Sequence, residues 1–257
     1  MKGLRIIAAM LLMQASTPAF AAEIPQAERR SGSTFMTPQT QAIQNDDTAN
    51  PAMLSVLDGE KLWQEKSGAA NVACADCHSD PGSMRGVAAH HPAFDARLGR
   101  PVNLEQRINL CRSERQQATP LAYESPELLA LTAFVARQSR GMAIETADPR
   151  LAPFVAAGRD LFMRRQGQLN LGCSHCHDDN WDRHLAGSAI TQAQPTGYPL
   201  YRLEWQSLGS LQRRLRNCMA GVRAQTFDYG APELVDLELY LMSRAQGMAM
   251  EAPAVRP

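Results

Sequence analysis

The residues best suited to chemistry are two cysteine pairs, each followed at once by a histidine. These C-x-x-C-H patterns occupy residues 74–78 and 173–177. Two thiols at this spacing lie on one helical turn, where each can bond one vinyl group of a haem while the adjacent imidazole binds the iron. The sequence therefore predicts covalent c-type haem. The expected thiols are Cys74, Cys77, Cys173 and Cys176, and the expected iron ligands are His78 and His177.

A structural zinc site is the alternative use of two C-x-x-C pairs. Zinc would not need a histidine directly after both pairs, whereas haem attachment does. The sequence has six cysteines, so two remain outside the motifs. The motifs favour two haems over one zinc ion.

The second axial ligand of each iron is open from the residues alone. The chain offers two symmetric pairs of sulfur ligands, Cys111 with Cys218 and Met142 with Met248. Methionine is common in electron carriers and raises the potential, whereas a thiolate stabilises ferric iron. A Cys111–Cys218 disulfide is a third use of the two cysteines. It is disfavoured because equivalent positions of two domains rarely approach closely enough.

An internal repeat predicts the fold. Segments around Gly59, Leu104, Pro126 and Gly141 recur in the same order around Gly158, Leu211, Pro232 and Gly247. The pattern predicts a mainly α protein, with two tandem cytochrome c-like domains related by an internal repeat. We place the first domain at residues 51–148 and the second at residues 149–257.

The N-terminal region is different in composition. Residues 1–22 combine Lys2 and Arg5 with a short apolar run and a small-residue end, which predicts a signal peptide. Residues 23–50 are polar and aperiodic, which favours an extended N-terminal arm. Basic and acidic residues balance at 26 each, so charge does not favour nucleic-acid binding. The apolar run is too short to span a bilayer, so no membrane anchor is expected.

Hydrophobic spacing predicts three helices in the first domain. One begins near Pro51 and presents Leu54, Leu57, Leu62 and Trp63; residues 79–103 then read as loop. A second runs from Leu104 through Cys111. The third runs from Pro126 to Ser139, with four core candidates: Leu128, Leu129, Leu131 and Phe134.

Arginines surround the cysteine of the second domain. Arg213, Arg214, Arg216 and Arg223 flank Cys218, and Arg214 lies one helical turn before it on the same face. Arginine beside a cysteine favours thiolate and offers a planar charged fork to an oxyanion. A solvated basic helix face is the simpler reading, but the haem motif upstream favours chemistry at Cys218.

Several runs in the second half are similar to the SoxA family of bacterial thiosulfate-oxidising systems. They follow the second motif as Asp178-Asp179-Asn180-Trp181, Ile190-Thr191-Gln192, residues 197–206 and residues 208–224. The resemblance extends over residues 50–250. Both motifs and both extra cysteines are present, as in the dihaem members.

The resemblance implies the remaining assignments. The iron ligand pairs would be His78/Cys111 and His177/Cys218, with Cys218 catalytic, often as a persulfide, and Arg214 binding substrate. The activity would be that of a periplasmic L-cysteine S-thiosulfotransferase. Its partners would be a mono-haem cytochrome resembling SoxX, in a heterodimer, and a sulfur carrier resembling SoxYZ whose cysteine receives thiosulfate.

Two other functions compete with this interpretation. A dihaem electron-transfer cytochrome without covalent sulfur chemistry would place Met142 and Met248 on iron. A dihaem peroxidase would need one open iron position, which two equivalent spare sulfur ligands disfavour.

Overall fold

A computed structural model describes residues 24–257, and the predicted signal peptide lies outside them. The α-helices of the described residues are α1 (Pro38–Asn45), α2 (Ala52–Gln64), α3 (Cys74–His78), α4 (Leu104–Cys111), α5 (Pro126–Arg137), α6 (Ala152–Met163), α7 (Cys173–His177), α8 (Leu211–Gly221) and α9 (Pro232–Arg244). None of them is long and apolar enough to cross a membrane. The fold is mainly helical, as predicted.

Short strands complete the architecture. They are β1 (Ala93–Asp95), β2 (Arg100–Val102), β3 (His184–Leu185), β4 (Ser188–Ala189), β5 (Leu200–Arg202), β6 (Ser207–Gly209) and β7 (Ala254–Arg256). β1 with β2 and β3 with β4 form antiparallel pairs. In the third sheet β5 lies between antiparallel β6 and parallel β7. The sheets border the helices rather than forming a core of their own.

The repeat appears as two equivalent helix pairs. α2 packs against α5 in the first half, and α6 packs against α9 in the second. Both contacts are close at a glycine: a Cβ on Gly59 would collide with the carbonyl oxygen of Ala130, and one on Gly158 with that of Asp236. Because glycine has no Cβ, it allows each helix pair to approach at this point.

Equivalent segments of the two halves also pair with each other. Gly141 N–H donates to the Met250 carbonyl at 2.8 Å, and Met250 N–H donates to the Met142 carbonyl at 2.8 Å. Ala143 and Ala249 form an antiparallel bridge between the second of these bonds and a third, in which Ile144 N–H donates to the Met248 carbonyl at 2.9 Å. The repeat therefore places its two copies back to back about this short pairing.

Three features differ from the sequence expectations. Helix α2 forms, but Leu54 and Leu57 are 68% and 50% exposed, because the face that packs on α5 carries Val56, Gly59 and Trp63. The segment expected as loop contains the β1–β2 hairpin and two 3₁₀ turns. The arm was expected to be extended, but it contains helix α1, which begins at Pro38.

Two buried carboxyl groups lie where the halves meet. Glu105 of α4 and Glu238 of α9 line a small cavity of about 60 Å³, and the Asn103 amide donates to Glu238 at 3.4 Å. Burial, and then the charge of Glu124, raises the pKa of Glu105 to about 7. Burial, and then the charge of Glu105, raises the pKa of Glu238. Tyr123 lies against the same pair, and its hydroxyl donates to Asn103 at 3.2 Å.

We expect Glu105→Gln to stabilise the protein at pH 7.5 by about 2–3 kcal/mol and to change little at pH 4.5. The folded state keeps a proton on Glu105 that the unfolded chain releases above pH 4.5, so folding loses stability as pH rises from about 4.5 through about 7. The amide variant carries no such proton. Denaturant unfolding of the haem-loaded protein between pH 4.5 and 8 measures the effect.

The matched control is Glu127→Gln. Glu127 is the second residue of α5, as Glu105 is of α4, but its side chain is exposed. Its variant should keep the wild-type dependence of stability on pH. An equal pH dependence in both variants would contradict the role of the buried pair.

Candidate functional site

The first motif faces its spare cysteine across a cavity. Cys74, Cys77 and His78 of α3 line a space of about 270 Å³ together with Cys111 at the end of α4. Trp63 of α2 lies against His78, with ring centroids 5.5 Å apart. The structure therefore brings these four predicted site residues together around one cavity.

Buried donors without partners show that the cavity suits a haem. Trp63 and Arg112 line it, and the indole Nε1 of Trp63 and the Nε of Arg112 are buried without a hydrogen-bond partner among residues 24–257. Buried N–H groups are normally paired. Arg107 and Arg115 add positive charge to the same wall. A haem carries two carboxylates as well as a large apolar face, so the lining fits this group.

The second motif brings its histidine and the spare cysteine into contact. The His177 ring hydrogen-bonds the Cys218 thiol of α8, and its Nδ1 lies 2.6 Å from the Thr191 carbonyl oxygen. A carbonyl only accepts, so Nδ1 carries the proton and donates. Burial, and then the negative charge of Cys218, raises the pKa of the Cys173 and Cys176 thiols, so the three sulfurs lie close together. Two thiols, an imidazole and a further sulfur thus meet, which is the donor set of a haem with His/Cys ligation.

The two spare cysteines have opposite electrostatics. Burial raises the pKa of the Cys111 thiol, and Arg107 only partly opposes it. Burial would also raise the pKa of Cys218, but its hydrogen bond with His177 and the charges of Arg214 and Arg202 outweigh it, so that pKa is lowered. Negative charge on sulfur is therefore favoured in the second site rather than the first.

The arginines around Cys218 differ in their contacts. Arg213 stacks over the Trp205 ring at 4.2 Å, and Arg216 stacks over Tyr229 at 4.5 Å, with its buried Nη1 left without a hydrogen-bond partner among residues 24–257. Arg223 donates to Gln168 at 3.4 Å on the surface. For the Arg214 side chain, the described part of the chain shows no hydrogen bond, ion pair or ring contact. Its guanidinium is therefore available to an anion beside Cys218.

A buried ion pair links the end of the second motif to helix α9. Arg244 of α9 and Asp178, the residue after His177, are 2.5 Å apart, with side chains 5% and 2% exposed. The guanidinium also lies over the Phe162 ring at 4.7 Å. Losing either partner would leave an uncompensated buried charge, so the pair fixes the end of α7 relative to α9.

The methionine pair lies elsewhere. Met142 and Met248 belong to the segments that pair between the two halves, and their backbones share hydrogen bonds with Met250 and Ile144. Met142 is absent from the lining of the first cavity, and Met248 packs against the apolar cluster that contains Trp63. The geometry therefore favours the cysteines over the methionines as ligands. Cys111 and Cys218 are free thiols in separate sites.

Two neighbours of Cys218 had no role in the sequence interpretation. Burial raises the pKa of Tyr198 to about 12, and the charges of Arg214 and Cys218 both act on its hydroxyl group. Arg202 of β5 contributes positive charge to Cys218 while it pairs with Glu204 at 2.9 Å. Both residues fall in the 197–206 run that resembles the family, but their approach to Cys218 depends on how β5 packs.

The chain is similar to known proteins over most of its length. The model of the SoxA/TsdA cytochrome c domain family matches residues 58–144 and 157–250. The chain is 37% identical over 249 residues to the L-cysteine S-thiosulfotransferase subunit SoxA of Rhodovulum sulfidophilum, covering 96% of this chain and 86% of that protein. Against the same subunit of Paracoccus pantotrophus it is 34% identical, covering 88% and 78%. The crystal structure of SoxXA from P. pantotrophus matches with a TM-score of 0.86 and 33% identity, covering 89% and 87%.

Proposed function

The chain belongs to the SoxA/TsdA cytochrome c family, and we propose that it acts as the SoxA-type subunit of an L-cysteine S-thiosulfotransferase. In this reaction thiosulfate is joined oxidatively to a cysteine of a sulfur-carrier protein. The proposal places the chemistry in the second domain, residues 149–257, at Cys218 and Arg214.

One observation carries this assignment. The Cys218 thiol lies against His177 of the second haem motif, and Arg214, whose side chain has no protein partner in the described part of the chain, directs its charge to that sulfur. An electron carrier needs neither a cysteine with a lowered pKa nor, beside it, an arginine whose side chain has no hydrogen-bond or ion-pair partner. Conjugation of a sulfur dianion needs both.

The chain's residues have distinct roles in the reaction. Arg214 binds the thiosulfate oxyanion, and its charge offsets the repulsion between two sulfur anions. Cys218, as thiolate or persulfide, mediates the sulfur–sulfur bond. In the net reaction a carrier thiolate and thiosulfate form a carrier S-thiosulfonate with one new S–S bond, and two electrons leave. When bound, each haem supplies an iron that accepts one electron at a time.

The finer assignments extend the same proposal. The cavity at the first motif and the donor set at the second suit two haems, attached through Cys74 and Cys77 in one domain and through Cys173 and Cys176 in the other. The iron ligands would be the pairs His78/Cys111 and His177/Cys218. The similarity to SoxXA supports a mono-haem SoxX-type cytochrome as partner. The signal peptide expected from the sequence supports the periplasm, where c-type haem attachment occurs.

A direct assay tests the function. The mature protein is purified with its mono-haem partner and incubated with thiosulfate, an oxidised cytochrome acceptor and a carrier peptide that bears one cysteine. We expect the peptide to gain the mass of one thiosulfate and the acceptor to take up two electrons per adduct. If the chain is intact and carries both haems but no adduct forms, the protein is an electron carrier and not the transferase.

A further inference from the structure

The proximal histidine of the second site is oriented by a loop. His177 donates through Nδ1 to the Thr191 carbonyl at 2.6 Å. Such a bond fixes the tautomer of a ligating histidine, leaves its other nitrogen for the metal and strengthens its electron donation. The position of the Thr191 carbonyl therefore matters for whatever iron His177 binds.

The next residue connects this loop to the N-terminal arm. Gln192 is fully buried, and both the oxygen and the nitrogen of its side-chain amide form hydrogen bonds. Its Oε1 accepts from Arg30 N–H at 2.7 Å, and its Nε2 donates to the Glu28 carbonyl at 2.9 Å. Both partners are backbone groups of the arm, so Gln192 holds the arm by two points.

Further contacts fix the arm on both ends of the loop. Before Thr191, the Arg30 guanidinium lies over the Trp181 ring at 5.2 Å, and Phe35 meets the same ring edge-on at 6.4 Å. After Thr191, Glu251 accepts from Ser33 at 2.9 Å and from Thr196 at 2.9 Å. The arm thus contacts this segment at Trp181 and Gln192, and at Thr196 through Glu251.

We propose that Gln192 is a positioning residue through which the N-terminal arm holds the Thr191 carbonyl on His177 and so sets the reduction potential of the second haem. The inference rests on the proposed ligation of that haem by His177. Loosening the arm weakens the Nδ1–H bond, the imidazole donates less to ferric iron, and the potential rises.

The first haem is an internal reference. Among residues 24–257, no hydrogen bond joins residues 74–78 to residues 24–36. A change that acts through the arm should therefore move the second potential and leave the first in place.

Two variants test the proposal from opposite sides of the contact. Gln192→Leu keeps the volume and removes both hydrogen bonds. A chain whose mature form begins at Ser31 removes Glu28 and Arg30 but keeps Ser31 and Ser33 on Glu251. The control is Gln194→Leu, since Gln194 is also buried on this loop and its Oε1 has no partner within the described residues. All are studied in the complex with the mono-haem partner.

Three measurements are made on each protein: haems per chain, both potentials by spectroelectrochemical titration, and the ferric EPR signals. We expect the two test variants to raise the second potential and alter the second EPR signal only, and the control to match wild type. Selective loss of the second haem in either test variant would also support the proposal. Unchanged second potentials, or equal shifts of both haems, would overturn it.

The haem count keeps this result separate from the proposed function. A wild-type chain that carries no haem on Cys173 and Cys176 would show that the ligation itself is wrong. Two haems with a second potential that does not respond to the arm would refute only the role of Gln192.

Discussion

Replacing Cys218 with alanine is expected to abolish formation of the carrier thiosulfonate while all covalent haem remains attached. The thiols proposed to attach haem are Cys74, Cys77, Cys173 and Cys176, so the substitution leaves both proposed attachments in place. Deleting a group that takes part covalently typically lowers turnover by roughly 10³-fold or more. Mass spectrometry of the carrier peptide measures the loss, and the absorbance of the purified protein measures the haem.

The matched comparison is Cys111→Ala. Cys111 occupies the equivalent place in the first domain, but burial raises the pKa of its thiol, whereas that of Cys218 is lowered. We expect this variant to form adduct at a reduced yet measurable rate. Cys218→Ser should behave like Cys218→Ala, because a hydroxyl has nearly the size of the thiol but cannot share its sulfur chemistry. Turnover near the wild-type rate in Cys218→Ala would exclude the cysteine mechanism and favour the electron-transfer alternative.

The parts of the site that could be predicted are those whose residues lie close together in the sequence. The motifs and the arginine one turn before Cys218 are local patterns, and local spacing fixes which residues share a helical turn. The repeat also allowed Cys111 and Cys218 to be singled out without any knowledge of their surroundings. What local spacing could not give was the choice between cysteine and methionine. The structure favours cysteine because Met142 and Met248 lie where the two halves pair.

The fold was predicted at the level of helices but not of their faces. Leu54 and Leu57 of α2 point outwards because the tight contact with α5 is made at Gly59, a residue that contributes no apolar side chain. The hydrophobic pattern therefore combined two faces of a correctly predicted helix, since Trp63 of the same set is buried. The glycine itself was visible in the repeat, as the match of Gly59 with Gly158.

Contacts over long stretches of chain escaped the sequence altogether. The Glu105–Glu238 pair and the hold of Gln192 on the arm each join residues more than one hundred positions apart. Each member alone looks like an ordinary polar residue. Their significance comes from burial, which only tertiary packing creates, since buried polar groups require partners.

Arg214→Ala is expected to lower kcat/KM for thiosulfate by about 10²-fold, with both haems retained. Hydrogen bonds to a charged group contribute about 1.5–3 kcal/mol each, and the dianion would lose its main protein partner beside Cys218. The loss should appear as a higher KM together with a lower kcat, because the arginine both binds the anion and offsets sulfur–sulfur repulsion. Steady-state rates at several thiosulfate concentrations measure both constants.

Two further substitutions separate charge from shape. Arg214→Lys keeps a positive charge but loses the planar fork, so we expect it to recover part of the activity of the alanine variant. Arg213→Ala is the control, because that guanidinium is stacked over Trp205 at 4.2 Å and donates to the Ser207 hydroxyl at 3.2 Å. It should keep a KM close to wild type. If Arg213→Ala and Arg214→Ala raised KM equally, the effect would belong to the net charge of α8 rather than to one anion-binding side chain.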